Sequence, residues 1–82
     1  MTFFPGCLLD LKVVFQYALK ANASSIILAH NHPSGNLKPS ESDLAITKKV
    51  EEAARLFDIK LLDHLILSPE ERYYSMADEG NL

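Results

Sequence analysis

The sequence contains few of the features that mark secreted or membrane-spanning chains. Its single cysteine, Cys7, cannot form an internal disulfide, which favours the reducing cytoplasm. No apolar run approaches the roughly 18 residues that a membrane span requires. The amino-terminal segment has no basic region and contains Pro5 and Gly6, so we do not expect a signal peptide.

Positive charge is also scarce. The 82 residues contain 8 Lys and Arg against 11 Asp and Glu, which gives a formal net charge of −3. The basic residues are scattered, and their largest cluster is the pair Lys48 and Lys49. A nucleic-acid-binding domain usually concentrates basic residues on one surface. The charge therefore argues against direct contact with DNA, RNA or an anionic membrane.

The remaining composition is that of one small globular domain. Hydrophobic residues make up 48% and charged residues 23% of the chain, which excludes a disordered segment or a coiled coil. There is no internal repeat and no linker-like stretch. A domain of this length buries a modest core and lies close to the limit of independent stability.

The first half of the chain is predicted to form one helix and one strand. Residues 1–9 are apolar but broken by proline and glycine, and no element is assigned to them. Asp10 is a suitable N-cap for a helix of about a dozen residues, which Asn22 would end. Residues 25–29 are nearly all apolar, which predicts a strand covered on both faces and placed centrally in a sheet.

The second half is predicted to continue the alternation. Residues 30–39 are a loop, and Ser40 opens a second helix through a capping-box pattern. A strand over residues 59–67, a short strand over 72–75 and a short helix beginning at 75–78 complete the order. The sequence of helix, strand, helix, strand, strand and short helix predicts a mixed α/β layered fold.

The loop between the first strand and the second helix contains a candidate metal site. His30 and His32 are two residues apart on extended backbone, so their imidazoles project to the same side. Asp43 precedes Ile46 and Val50 on the inward-facing stripe of the second helix, so its carboxylate points toward the sheet. Two histidines and a carboxylate, with a fourth position left for water, are a typical catalytic zinc set.

Ser40 lies one helical turn before Asp43 and could donate a hydrogen bond to a metal-bound water or to a developing oxyanion. Simpler interpretations remain open at this point. A lone His-x-His pair is common by chance, Asp43 could bond only the helix N-terminus, and Ser40 could be only the N-cap. The combination of all these residues at a strand-to-helix junction favours the metal site.

The string His30-x-His32-Pro33, six residues, then Ser40-x-x-Asp43 resembles the JAB1/MPN/Mov34 metalloenzyme (JAMM) motif. The longer string ILAHNHPSGNLKPSESD is similar to the RadC branch of that superfamily. The resemblance extends over essentially the whole chain. Further matches lie in the preceding helix, in the later strand and near the carboxyl terminus: Phe15, Ala18, Leu19, Asn22, Ala23, Leu62, Asp63, His64, Ile66, Tyr73, Tyr74, Ser75, Ala77, Asp78, Glu79 and Gly80.

The resemblance implies a role for each matching residue. His30, His32 and Asp43 would be zinc ligands, and Ser40 would be the catalytic-site serine. The implied fold is the JAB/MPN fold, a layered architecture like that of cytidine deaminases. The implied activity is zinc-dependent hydrolysis of a peptide or isopeptide bond. The RadC name also carries a presumed role in DNA repair, which the acidic charge balance does not support.

The chain departs from the JAMM pattern in one respect. JAMM enzymes use a glutamate on an early strand as general acid–base, whereas the only carboxylate before His30 is Asp10. We therefore expect residues 1–82 to be the carboxyl-terminal two-thirds of a RadC-like JAB domain that lacks the first strands. The open sheet edge or apolar face would favour a homodimer. A non-catalytic metal-binding or interaction module is the alternative to the hydrolase.

Three further residues admit a functional interpretation but favour a structural one. His64 lies in the middle of a predicted strand and is interpreted as a hydrogen-bonded structural histidine. Asp63 could anchor either His64 or the adjacent helix. Cys7 precedes the first helix and is interpreted as a plain buried thiol, because no histidine lies near it in sequence.

Overall fold

Four strands and two helices make up the part of the chain that the structure, a computed structural model, describes, which is residues 2–4 and 10–82. The elements are β1 (Thr2–Phe4), α1 (Leu11–Lys20), β2 (Ser25–Asn31), α2 (Glu41–Leu56), β3 (Lys60–Leu67) and β4 (Tyr73–Ser75). The strands form one sheet in the order β1-β2-β3-β4. The first three strands are parallel, and β4 is antiparallel to β3. The prediction of a mixed α/β fold with a central β2 is therefore confirmed.

The sequence prediction differs from the structure at both ends of the chain. Residues 2–4 form a parallel edge strand that was not expected, and the thiol of Cys7 lies outside the described residues. The predicted helix at residues 75–78 is wrong, because only turns follow β4 there. The amide of Asn81 donates to the carbonyl of Met76 across 2.8 Å. With Gly80 in a left-handed conformation, this bond closes the chain after a single turn.

Both helices begin at the residues that the sequence indicated. The Asp10 side chain accepts a hydrogen bond of 2.9 Å from the backbone amide of Lys12 at the start of α1. Asn22 follows α1 with φ of 52°, the left-handed conformation that often ends a helix. Ser40 caps α2 in a complete capping box. These local signals therefore determine where each helix begins and ends.

The apolar core joins both helices to the two central strands. Its buried members are Val14, Phe15, Ala18, Ile26, Leu28, Val50, Ala54, Ile59 and Leu61. Phe57 lies just beyond α2 and is 50% exposed. Its ring still contacts that of Phe15, with centroids 5.7 Å apart. Among the described residues, no helix is long and apolar enough to cross a membrane.

Candidate metal centre

The site lies where the carboxyl end of β2 meets the first turn of α2. Ile26, Leu28 and His30 occupy alternate positions of β2 and share one face of the strand. The first two belong to the same apolar cluster as Val50 and Ala54 of α2, so His30 also faces this helix. The carboxyl end of a parallel strand next to a helix N-terminus is a frequent place for ligand sites in open α/β sheets.

Three side chains converge at this point. The Nε2 atoms of His30 and His32 are 3.0 Å apart. Asp43 Oδ1 lies 3.2 Å from His30 Nε2, and its Oδ2 lies 3.2 Å from His32 Nε2. The structure thus brings together the three residues that the sequence singled out as metal ligands. Their ligation of a metal stays a prediction.

These donors lie close enough together to hold one small divalent cation. Zinc bonds of 2.0–2.1 Å in a tetrahedron place neighbouring ligand atoms about 3.3 Å apart. The two histidine nitrogens are 3.0 Å apart, and each lies 3.2 Å from a different oxygen of the Asp43 carboxylate. With one ligand atom taken from each residue, the three atoms lie within 4.8 Å of one another. Nitrogen lone pairs and carboxylate oxygens at such distances repel one another unless a proton or a metal cation lies between them. Three protein ligands leave one coordination position for a water molecule.

Ser40 holds Asp43 through the capping box. The Ser40 amide donates to Asp43 Oδ2 across 2.8 Å, and the Asp43 amide donates to Ser40 Oγ across 3.0 Å. Burial favours the protonated acid. The bonds from Ser40 and the nearby His30 and His32 outweigh it and hold the pKa of Asp43 below its usual range. Asp43 is therefore an ionised carboxylate at neutral pH.

The capping role of Ser40 is thus observed, and the proton of its hydroxyl remains available to another partner. Because Ser40 Oγ accepts the bond from Asp43, its own proton is not used by the capping box. A contact between this proton and a reacting oxygen stays a prediction.

A buried hydrogen-bond network lies behind His30. Its Nδ1 is 2.8 Å from Nε2 of His64, and Nδ1 of His64 is 2.6 Å from Oγ1 of Thr47. Burial lowers the pKa of His30, against the opposing effect of Asp43. Burial and the neighbouring His30 lower the pKa of His64 to about 4. Both imidazoles are therefore predominantly neutral at pH 7.

This network is the part of the site that sequence reasoning missed. His64 is fully buried and hydrogen-bonded, as the structural interpretation requires, but its partner is a candidate metal ligand. Thr47 was not recognised, although it lies on α2 one turn after Asp43. A polar residue four positions from the acid, together with a histidine on the strand beside β2, is the signal that could have indicated both.

The second histidine is positioned by its own loop. Nδ1 of His32 is 2.7 Å from the carbonyl oxygen of Asn36, and the His32 carbonyl accepts from the Gly35 amide across 2.9 Å. The guanidinium of Arg72 donates to the Gly35 carbonyl across 3.3 Å. The His32 side chain is 21% exposed, compared with 9% for His30. The site is therefore more open to solvent on the His32 side.

Asp63 anchors the turn after β4 and makes no hydrogen bond to the His64 ring. Its Oδ1 accepts from the backbone amides of His64 and Ala77, and its Oδ2 accepts from the Ser75 hydroxyl. Burial favours the protonated acid, but the Ser75, Ala77 and His64 hydrogen bonds outweigh it and keep the pKa of Asp63 low. Of the two partners considered from the sequence, Asp63 bonds His64, through its backbone amide, and it also bonds the turn that replaces the predicted helix.

Comparison with known proteins agrees with the resemblance that the sequence motifs indicated. The family model described as "RadC-like JAB domain" matches residues 4–81. A "UPF0758 protein" from Flavobacterium johnsoniae is 49% identical over 75 residues, covering 92% of this chain and 32% of the relative. One from Porphyromonas gingivalis is 48% identical over 73 residues, covering 89% and 32%. One from Actinobacillus pleuropneumoniae is 50% identical over 66 residues, covering 80% and 30%. The chain thus spans about a third of the length of these curated relatives.

Proposed function

The chain belongs to the RadC-like JAB domain family, and we propose that it binds one zinc ion through His30, His32 and Asp43 and supports hydrolysis of a peptide or isopeptide bond. The observation that carries this proposal is the convergence of the three side chains, whose ligand atoms lie within 4.8 Å of one another. The exposed side of His32 provides an approach for the substrate.

Each residue has a defined part in this function. A bound zinc ion would act as a Lewis acid and lower the pKa of a water molecule toward ~7. His30 and His32 supply neutral nitrogen donors, and Asp43 supplies the negative charge that partly neutralises the cation. Ser40 keeps the carboxylate of Asp43 in place and directs its hydroxyl proton toward the reacting oxygen.

The general base of this reaction is not supplied by Asp10. This residue is the only carboxylate before His30, and its side chain caps α1 from an exposed position. Removal of a general base typically lowers a rate by about 10²–10⁴-fold. The engagement of Asp10 as a helix cap favours, as a second candidate, a module that binds metal without catalysis.

Zinc titration of chelator-treated protein tests the metal centre. We expect one equivalent to bind by calorimetry. At a zinc concentration of 100 Kd, binding should stabilise the fold by at most about 2.7 kcal/mol, the value for a chain whose unfolded state does not bind zinc. For a domain of this size, that corresponds to a rise in Tm of roughly 10–20 °C. Asp43→Ala should abolish the effect, whereas Asp78→Ala, which removes an exposed carboxylate outside the site, should retain it. A wild-type chain with neither bound zinc nor a thermal shift would refute the metal centre.

A second assay separates the two candidate functions. The zinc-loaded chain is incubated with peptide and isopeptide-linked substrates, and cleavage is followed by mass spectrometry. Turnover that His32→Ala abolishes supports the hydrolase. Stoichiometric zinc binding without turnover supports the non-catalytic module.

A further inference from the structure

A buried chain of hydrogen bonds leads from the backbone of α2 to the candidate metal centre. It runs from the Asp43 carbonyl to Thr47 Oγ1 at 2.6 Å, and from there to His64 Nδ1 at 2.6 Å. It continues from His64 Nε2 to His30 Nδ1 at 2.8 Å. Thr47 and His64 have 2% and 0% exposure, so water does not compete for these bonds. The direction of each bond can therefore be deduced by counting protons.

The first two bonds share a single hydroxyl group. The carbonyl oxygen of Asp43 has no proton, so the short contact with Thr47 requires the threonine hydroxyl to donate to it. The sulfur of Met76, 3.3 Å from the same hydroxyl, is also only an acceptor. Since the hydroxyl has one proton, its contact with His64 Nδ1 must use a proton from the histidine. His64 therefore carries a proton on Nδ1.

This assignment determines the next bond. A fully buried, neutral His64 has one ring proton, and because that proton is on Nδ1, its Nε2 is an acceptor. The Nδ1 of His30, 2.8 Å away, must then donate to it. The neutral form of His30 is left with an unprotonated Nε2, which is the atom that faces Asp43 and His32.

We propose that Thr47 and His64 are positioning residues that hold His30 as the Nδ1–H tautomer and thereby direct its Nε2 lone pair into the metal centre. This inference rests on the proposed zinc site and specifies how the first ligand is prepared for it. His32 reaches the same tautomer independently, because its Nδ1 can only donate to the carbonyl of Asn36. Metal-ligating histidines usually donate to a carboxylate, a backbone carbonyl or water. Here a second histidine takes that place.

Nitrogen-15 NMR of the histidine side chains tests the tautomer in the metal-free, full 82-residue chain at neutral pH. We expect His30 and His64 to be protonated at Nδ1, and His64 to be unprotonated at Nε2. His64→Leu removes the acceptor of the His30 Nδ1 proton and should give His30 a mixture of tautomers. Thr47→Val removes the acceptor of the His64 Nδ1 proton and should give His64 a mixture of tautomers. A neutral His30 protonated at Nε2 in the wild-type chain would overturn the proposal.

Zinc affinity provides the second readout, with a matched pair of variants. His64→Leu should weaken zinc binding by about 10–100-fold, the usual effect of removing an outer partner of a ligand. His64→Gln retains a carbonyl oxygen that can accept from His30, so it should bind zinc within a few-fold of wild type. Thermal melts of both metal-free variants test whether each is folded. Equal affinities for folded His64→Leu and wild type would contradict the positioning role.

The two readouts distinguish this inference from the proposed function. If the wild-type chain has the expected tautomers but binds no zinc, the zinc site is refuted. The predicted effect of His64→Leu on zinc affinity is then refuted as well. Zinc binding by a chain whose metal-free His30 is protonated at Nε2 would refute only the positioning role of Thr47 and His64.

Discussion

Replacing Ser40 by alanine separates its capping role from a role in chemistry. The change removes Oγ and with it the 3.0 Å bond from the Asp43 amide, but it leaves the backbone amide that donates to Asp43 Oδ2 across 2.8 Å. Loss of a serine N-cap destabilises a protein by about 1 kcal/mol. For a domain of 60–100 residues, this corresponds to a decrease in Tm of about 4–8 °C.

The same variant should retain most of its zinc affinity. Because one of the two capping bonds survives, Asp43 stays oriented toward His30 and His32, and we expect less than a tenfold change in Kd. At saturating zinc, any hydrolysis should fall by about 10²–10³-fold if the Ser40 hydroxyl stabilises the reacting oxygen. The experiment therefore combines a metal-free thermal melt, a zinc titration and a turnover assay.

Ser40→Thr is the matched control, since it restores a side-chain oxygen and should recover most of the lost stability. An unchanged Tm for Ser40→Ala would show that the capping box does not stabilise the fold in solution. A loss of zinc affinity greater than 100-fold would show that the surviving backbone bond does not hold Asp43.

Two further predictions concern stability in the metal-free chain. The folded-state pKa of Asp63 is below its ordinary value of 3.8, so the stability that its ionised form contributes is present above that pH and is lost as the pH falls through the folded-state value. In urea denaturation at pH 2–5, the free energy of unfolding should fall less steeply with acid for Asp63→Asn than for wild type or the exposed control Asp78→Asn. Identical pH profiles for the three chains would contradict this. Gly35 and Gly80 have φ of 82° and 81°, but an added Cβ would lie 2.8 Å from a Glu70 oxygen only at Gly35. Both alanine variants should lose about 1 kcal/mol from backbone strain, because the exposed Glu70 carboxylate lies at the end of a flexible side chain and can move away from the added Cβ. A loss at Gly35 much greater than the loss at Gly80 would show that Glu70 is held in place.

The parts of the fold that follow local rules could be predicted from the sequence. Asp10 and Ser40 are capping residues whose side chains bond amides two or three positions away, so sequence spacing alone specifies the contact. The convergence of His30, His32 and Asp43 is nearly local as well, because one strand end and the next helix start contain all three. Period-two and period-3.6 patterns then place them on facing surfaces.

The features that the sequence did not reveal depend on longer-range pairing. The pairing of β1 with β2 joins residues 2–4 to residues 28–30. Three residues give too short a pattern for a strand to be recognised. The contact of His64 with His30 depends on the parallel register of β2 and β3, which includes a bulge beside Ile26 and Ile27. Such a register cannot be read from a single strand.

The sequence separation of the site residues has a consequence for the order in which the site can assemble. The three proposed ligands lie within one short stretch, whereas the bond from His30 to His64 closes 34 positions. Shorter closures cost less entropy, so an unfolded chain can capture a cation through its two histidines before the sheet exists. Zinc held in that way also lowers the free energy of the unfolded state, and the metal would then protect the domain against denaturation by less than its affinity for the folded chain implies.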